Sequence, residues 1–144
     1  MFKPKYFQLY ELVPQVDFER HGNRLWYVFD DRILQAADVL RGLYGPMVVN
    51  DWHDGGSNHF RGFRPAGCTV GATFSQHHYG RALDLIPQET TAEKIRGDII
   101  ADPEIVTDWR GDLLITAMET GVSWLHIDRR NHDVDRYGLK LFKA

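Results

Sequence analysis

The side chains best suited to chemistry lie in two short stretches, Ser75-Gln76-His77-His78-Tyr79-Gly80-Arg81-Ala82-Leu83-Asp84-Leu85 and Ser123-Trp124-Leu125-His126-Ile127-Asp128. His77, Asp84 and His126 together make two imidazoles and one carboxylate. That is the donor set of a zinc ion with a fourth position left open, with bonds of about 2.0 to 2.2 Å. Cys68 is the only cysteine, so a cysteine-rich metal cluster and an intrachain disulfide are both excluded. Spacing alone leaves plainer readings open. A histidine in a strand is commonly a hydrogen-bonded core or surface residue, and Asp84 could cap a turn before Pro87. His78, next to His77, is expected to point elsewhere, and His21, His53, His59 and His132 have no comparable partner pattern.

Strands must hold these groups. Over residues 82–86 the alternation puts Ala82 and Asp84 on one side and Leu83 and Leu85 on the other, which seats an acid on a surface backed by leucines. Over Val122 to Asp128, Trp124, His126 and Asp128 share a face while Leu125 and Ile127 turn to the core. Pairing these strands would bring the Cβ atoms of His126 and Asp84 to about 4.5 to 5.5 Å. Gly80 lets the backbone turn closely enough for His77 to come back over the strand.

The rest of the chain reads as helices and loops around these strands. Residues 6–29 suggest a short helix or turn, then strands or loop around Trp26, Tyr27 and Phe29. Ile33, Leu34, Ala37 and Leu40 recur on one helical face that Asp30 or Asp31 can cap and Gly42 and Gly45 can end. Met47 to Val49 reads as a short strand, and Asn50 to Thr73 as a long glycine-rich loop of the kind that is more often functional than idle. Thr90 and Glu93 have capping-box spacing for a helix over roughly residues 91–101, and Asp102-Pro103 can start another helical segment. Leu113, Leu114, Ala117 and Met118 are read as the apolar face of a helix ending at Gly121. The tail is expected to be tied down by Tyr137, Leu139, Leu141 and Phe142. No strand–helix alternation, repeat or phosphate-loop glycine pattern is present, so the expected fold is α+β with a small, mainly antiparallel sheet in one domain.

A formal charge of −3, spread along the chain, supplies no broad basic surface for nucleic acid. Arg129, Arg130 and Arg136 are the nearest thing to a basic patch and are expected to be solvated or paired with acids. The opening Met1-Phe2-Lys3-Pro4-Lys5-Tyr6 lacks the apolar core of a signal peptide, and no run is long enough to cross a bilayer, so neither export nor membrane insertion is expected.

The pattern Ser75-x-His77-x-x-Gly80-x-Ala82-x-Asp84, followed by Trp124-x-His126-x-Asp128, resembles the two-part signature of the zinc D-alanyl-D-alanine carboxypeptidases and peptidoglycan endopeptidases, which share a fold with the hedgehog signalling domain. The resemblance covers most of the chain. It implies one zinc per chain on His77, Asp84 and His126. It also implies an arginine that binds a substrate carboxylate or stabilises developing negative charge, best matched by Arg64 in Gly62-Phe63-Arg64, with Arg61 as the near alternative. The implied activity is hydrolysis of an amide bond in peptidoglycan stem peptides, their cross-links or another D-amino-acid peptide, with Trp52, His53 and Trp124 as candidates for the cleft rim. Delivery through a membrane pore or in a phage particle would bring such an enzyme to the wall. In one respect the sequence departs from the pattern. Many members carry an acid three residues before the third zinc ligand, where Ser123 stands here, and a hydroxyl cannot accept a proton as a carboxylate does near neutral pH. Glu119, reaching across the turn from the end of the expected helix, is the alternative proton acceptor. Asp128 is the other carboxylate on the His126 face, where it either orients a ligand or takes the proton. With Ser123 in that place, a non-catalytic zinc-stabilised binding or virion module is the competing expectation.

Overall fold

The computed structural model describes all 144 residues. Pro14 precedes a short helix α1 (Gln15–His21), and a tight helical turn over Gly22–Val28 follows where strands or loop were expected. Trp26 and Phe29 bury there, but Tyr27 faces outward. Asp30 caps α2 (Asp31–Tyr44), its carboxylate accepting the Arg32 N–H at 2.9 Å, and Ile33, Leu34, Ala37 and Leu40 form the buried face read from their spacing. β1 (Met47–Val48) and the long loop lead to β2 (Ala82–Pro87). The cap of α3 (Ala92–Ala101) is Thr91 rather than Thr90, its hydroxyl accepting the Lys94 N–H at 3.1 Å.

The expected helix over residues 113–118 is absent. This segment is extended and ends in β3 (Ala117–Glu119). Leu114 through Glu119 are all buried, so the apolar run covers both faces of a strand, and such a run has no helical period to distinguish it. β4 is shorter than expected, Leu125–Asp128, with residues 120–124 forming the turn into it. A single helical turn α4 (Val134–Tyr137) and β5 (Lys140–Phe142) complete the chain. Tyr137 and Leu141 are exposed, so pairing of β5 with β3 holds the tail in place of those side chains.

The five strands lie in the order β1-β2-β4-β3-β5, antiparallel except for the parallel pair β3–β5. The molecule is therefore α+β with four helices and one mixed sheet. Leu83, Leu85, Leu125, Ile127 and Met118 join α2 and α3 in one apolar cluster. Burying each such side chain contributes about 1.5 to 3 kcal/mol, which fixes the register of β2 and β4. Asp84, His126, Asp128 and Glu119 then have to occupy the opposite face. No helix is long and apolar enough to cross a membrane.

Candidate metal centre

The register pairs Asp84 with His126 and Ala82 with Asp128, so the cross-strand approach expected from alternation is present. His77 reaches the same point from a tight turn over Gln76–Tyr79. Gly80 closes this turn at φ +65°, with Val28 lying where a Cβ would go. One ligand atom from each of His77, Asp84 and His126 falls within 4.8 Å of the others, and all three residues are buried. His77 Nε2 lies 3.3 Å from Asp84 Oδ1, and His126 Nδ1 lies 2.7 Å from the same oxygen. These three residues could hold a metal ion.

The surrounding hydrogen bonds set which nitrogen each ring offers. His77 Nδ1–H donates to the Gly62 carbonyl at 2.7 Å, leaving Nε2 as the inward donor atom. The Asp128 carboxylate lies 3.0 Å from His126 Nε2 and accepts from it, leaving Nδ1 toward Asp84. Asp128 is fully buried and also receives the Arg130 guanidinium and backbone N–H. Its place is thus behind His126, with its oxygens committed. The Asp84 amide is anchored to the Arg61 carbonyl at 2.8 Å, tying β2 to the long loop.

Charge at the centre follows from these contacts. Burial works against the His126 cation, but the carboxylates of Asp128 and Asp84 outweigh it and push the imidazole up to about 9. Burial would raise Asp84, yet hydrogen bonds from His126 and His77 hold it well below the ordinary carboxylate range. Asp128 is lowered in the same way, burial being overcome by His126 and Arg130. His77 is pushed down, chiefly by burial, and so is neutral and ready to ligate.

A cavity of about 430 Å³ opens onto the centre. Arg64 and Trp124 line it. So does Glu119, which is 8% exposed and whose carboxylate accepts no hydrogen bond from the chain. Glu119 arrives by a different route from the expected one. It sits on β3, where Ala117 pairs with Asp128 and Met118 with Ile127, so continuing that register sets Glu119 beside His126. Ser123 is exposed in the turn.

Arg64 is buried, with Nη2 at 3.3 Å from Asp84 Oδ2 and Nε donating to the Phe60 carbonyl at 2.7 Å. Arg61 serves the loop, its Nε donating to Asn58 at 2.7 Å, but its guanidinium also lies 5.1 Å over the Trp124 ring. Arg61 lines a second cavity of about 270 Å³ that shares Arg64, Asp84 and Trp124 with the first. Trp52 and His53 are not at the cleft. Trp52 donates to the Val13 carbonyl at 2.9 Å, and His53 packs on Tyr10. His78 turns to the Arg64 carbonyl at 3.0 Å, away from the centre. In the expected arginine group, Arg130 is committed to Asp128, Arg129 donates to the Leu113 carbonyl and Arg136 lies over Tyr137.

No protein-family model, curated protein or solved structure matches this chain. Arg130 pairs with an acid, as expected of that arginine group, and the acid is Asp128 behind His126. One partner of the centre was not read from the sequence: Phe142, whose ring meets His126 edge-on at 5.7 Å, comes from the tail, and no motif or spacing linked it to His126.

Proposed function

We propose that the protein is a zinc-dependent hydrolase of amide bonds in peptidoglycan stem peptides or their cross-links, with the fold of the D-alanyl-D-alanine peptidases and the hedgehog signalling domain. The observation that carries this reading is the convergence of His77, Asp84 and His126 on one point, with Glu119 lining the same cavity. The donor set fits zinc. Tetrahedral bonds of about 2.0 to 2.1 Å place ligand atoms about 3.3 Å apart, the separation between His77 Nε2 and Asp84 Oδ1, while His126 Nδ1, hydrogen-bonded to that oxygen at 2.7 Å, would have to move outward to ligate. Fixed tautomers and a carboxylate behind His126 are what a metal centre requires of its surroundings.

When bound, zinc supplies Lewis acidity toward water and the scissile carbonyl. The residues do the remainder. Glu119 accepts the proton of the attacking water and returns it to the leaving amine, because it is the cavity carboxylate with no other commitment. Arg64 offers N–H groups to the oxygen on which negative charge develops, at a site where burial strengthens the interaction. Asp128 holds His126 in its tautomer, and Trp124 forms a wall of the cleft.

Ser123 favours a second reading, a zinc-stabilised binding or virion module without turnover. One paired measurement separates the two: zinc content and cleavage of defined cross-linked stem peptides, for the parent and for Glu119→Gln. The hydrolase reading expects full zinc in both and cleavage only in the parent, down by about 100-fold or more in the variant. Zinc binding without cleavage of any wall peptide, or of short D-amino-acid peptides, leaves the binding module. Equal activity in the two proteins removes Glu119 from the mechanism.

A further inference from the structure

Arg96 lies in the middle of α3, yet it is only 4% exposed. Its Nε donates to the Glu119 carbonyl at 2.9 Å, and its Nη2 donates to the Val122 carbonyl at 3.2 Å and the Trp124 carbonyl at 2.7 Å. Its one carboxylate contact, Glu93 at 3.4 Å, is to a side chain that is 89% exposed and so contributes little. A buried cation is thus solvated almost wholly by three backbone carbonyls of one turn.

Those carbonyls need a donor. Pairing of β3 with β4 stops at Met118 and Ile127, one residue short of Glu119, and Thr120 bonds only outward, its N–H donating to the Phe142 carbonyl at 2.7 Å, so the turn over residues 120–124 has no rung to β4 to hold it. A buried carbonyl left without a partner is costly, because it gives up its hydrogen bond to water for nothing. The planar fork of Arg96 meets three of them at once, which lysine's single ammonium cannot reproduce. The other side of Glu119 is held by parallel pairing with Phe142. The Glu119 carboxylate has no hydrogen bond of its own, so its place in the cleft is set through its main chain. Trp124 is pinned at its carbonyl in the same manner.

We propose that Arg96 is a positioning residue for the cleft. From the helix behind the sheet it fixes the turn whose two ends present Glu119 and Trp124 to the metal centre. The role given to Glu119 rests on the hydrolase reading; the role given to Arg96 in placing it does not.

Arg96→Lys keeps the charge and the aliphatic stem while losing the fork, and Arg96→Gln is the second variant if lysine does not fold. The expected result for either is unchanged zinc affinity, since neither ligating strand position depends on the turn. With it comes a kcat lowered by about 10- to 100-fold and a KM within about threefold. In a Glu119→Gln background the same change at Arg96 should have almost no further effect, because the two act through one group. A structural role alone would lower activity by the same factor in both backgrounds, and that result overturns the proposal, as does a parental kcat. A crystal structure of the variant gives a readout independent of turnover. Glu119 displaced beside an unchanged His77, Asp84 and His126 supports the proposal even if the parent cuts nothing and the hydrolase reading fails. An unmoved Glu119 and turn overturns it.

Discussion

Metal binding should release a proton from His126 at neutral pH, in addition to any given up by zinc-bound water. In the metal-free protein this imidazole is held between two carboxylates, Asp84 at 2.7 Å and Asp128 at 3.0 Å, and titrates at about 9. At pH 7 it lies about two units below that value and is therefore almost fully charged. A ligating nitrogen must be free of its proton. Each unit is a factor of ten, so displacing the proton costs on the order of 100-fold in apparent affinity. His77 adds no proton because burial has already made it neutral, and Asp84 adds none because its carboxyl is held low.

Calorimetry of zinc binding at pH 7 in buffers of different ionisation enthalpy would count the protons, and chelator competition would follow affinity with pH. The logarithm of the affinity should climb by at least about one per pH unit between pH 7 and 9, with any steeper slope coming from zinc-bound water, which titrates at about 7. Release of no proton, or an affinity flat between pH 7 and 9, would refute the doubly bonded imidazolium and with it the assignment of Asp128 as its support.

Asp128→Asn removes the charge behind His126, so zinc affinity should fall by about 10- to 100-fold while the proton count at pH 7 drops below the parent's. Without metal, Asp84 and Asp128 are lowered, so their stabilisation is present above the ordinary carboxylate range and lost on acidification. The His126 contribution has the opposite sign. It is complete below about pH 6.5 and lost as pH rises through about 9, so these three groups together favour the metal-free fold most between the ordinary carboxylate range and about pH 6.5, and their share of the melting temperature should fall on either side. Gly80→Ala places a Cβ against the Val28 carbonyl at φ +65°, and urea unfolding should show a loss of more than about 1 kcal/mol together with weaker zinc binding through His77.

The centre was legible because two short strands alternate cleanly. Leu83 and Leu85 on β2, with Leu125 and Ile127 on β4, can bury only on one side, and this turns Asp84 and His126 toward each other whatever else the chain does. Residues 113–119 offered no such contrast. Leu114 to Glu119 are buried without a break, β3 lying inside the sheet between β4 and β5, so Leu114, Ile115 and Met118 are apolar without a period. Helix and strand are then equivalent readings until the partners are known. Arg96 was illegible for a related reason. Its spacing puts it on the buried stripe of α3 with Ala92, Ile95 and Ile99, but nothing in the sequence names what satisfies it there, the carbonyl-rich turn of a distant segment.

The departure at Ser123 loses its force once strand pairing is considered. An acid three residues before His126 would stand in the turn, where Ser123 is exposed. Glu119 comes instead from the neighbouring strand, at the position that the β3–β4 register sets beside His126. Under the hydrolase reading, a carboxylate delivered across the sheet meets the same chemical need as one delivered along the strand, since proton transfer depends on reach and not on sequence distance. The two routes differ in what they depend on. A group on the strand of His126 is carried by the same backbone as the ligand, whereas Glu119 is placed by the end of one strand, a turn with no rung to β4 and the helix that donates to it. Under the hydrolase reading and the proposed role of Arg96, catalysis should therefore be sensitive to α3 in a way that metal binding is not, so the two properties should separate under mutation.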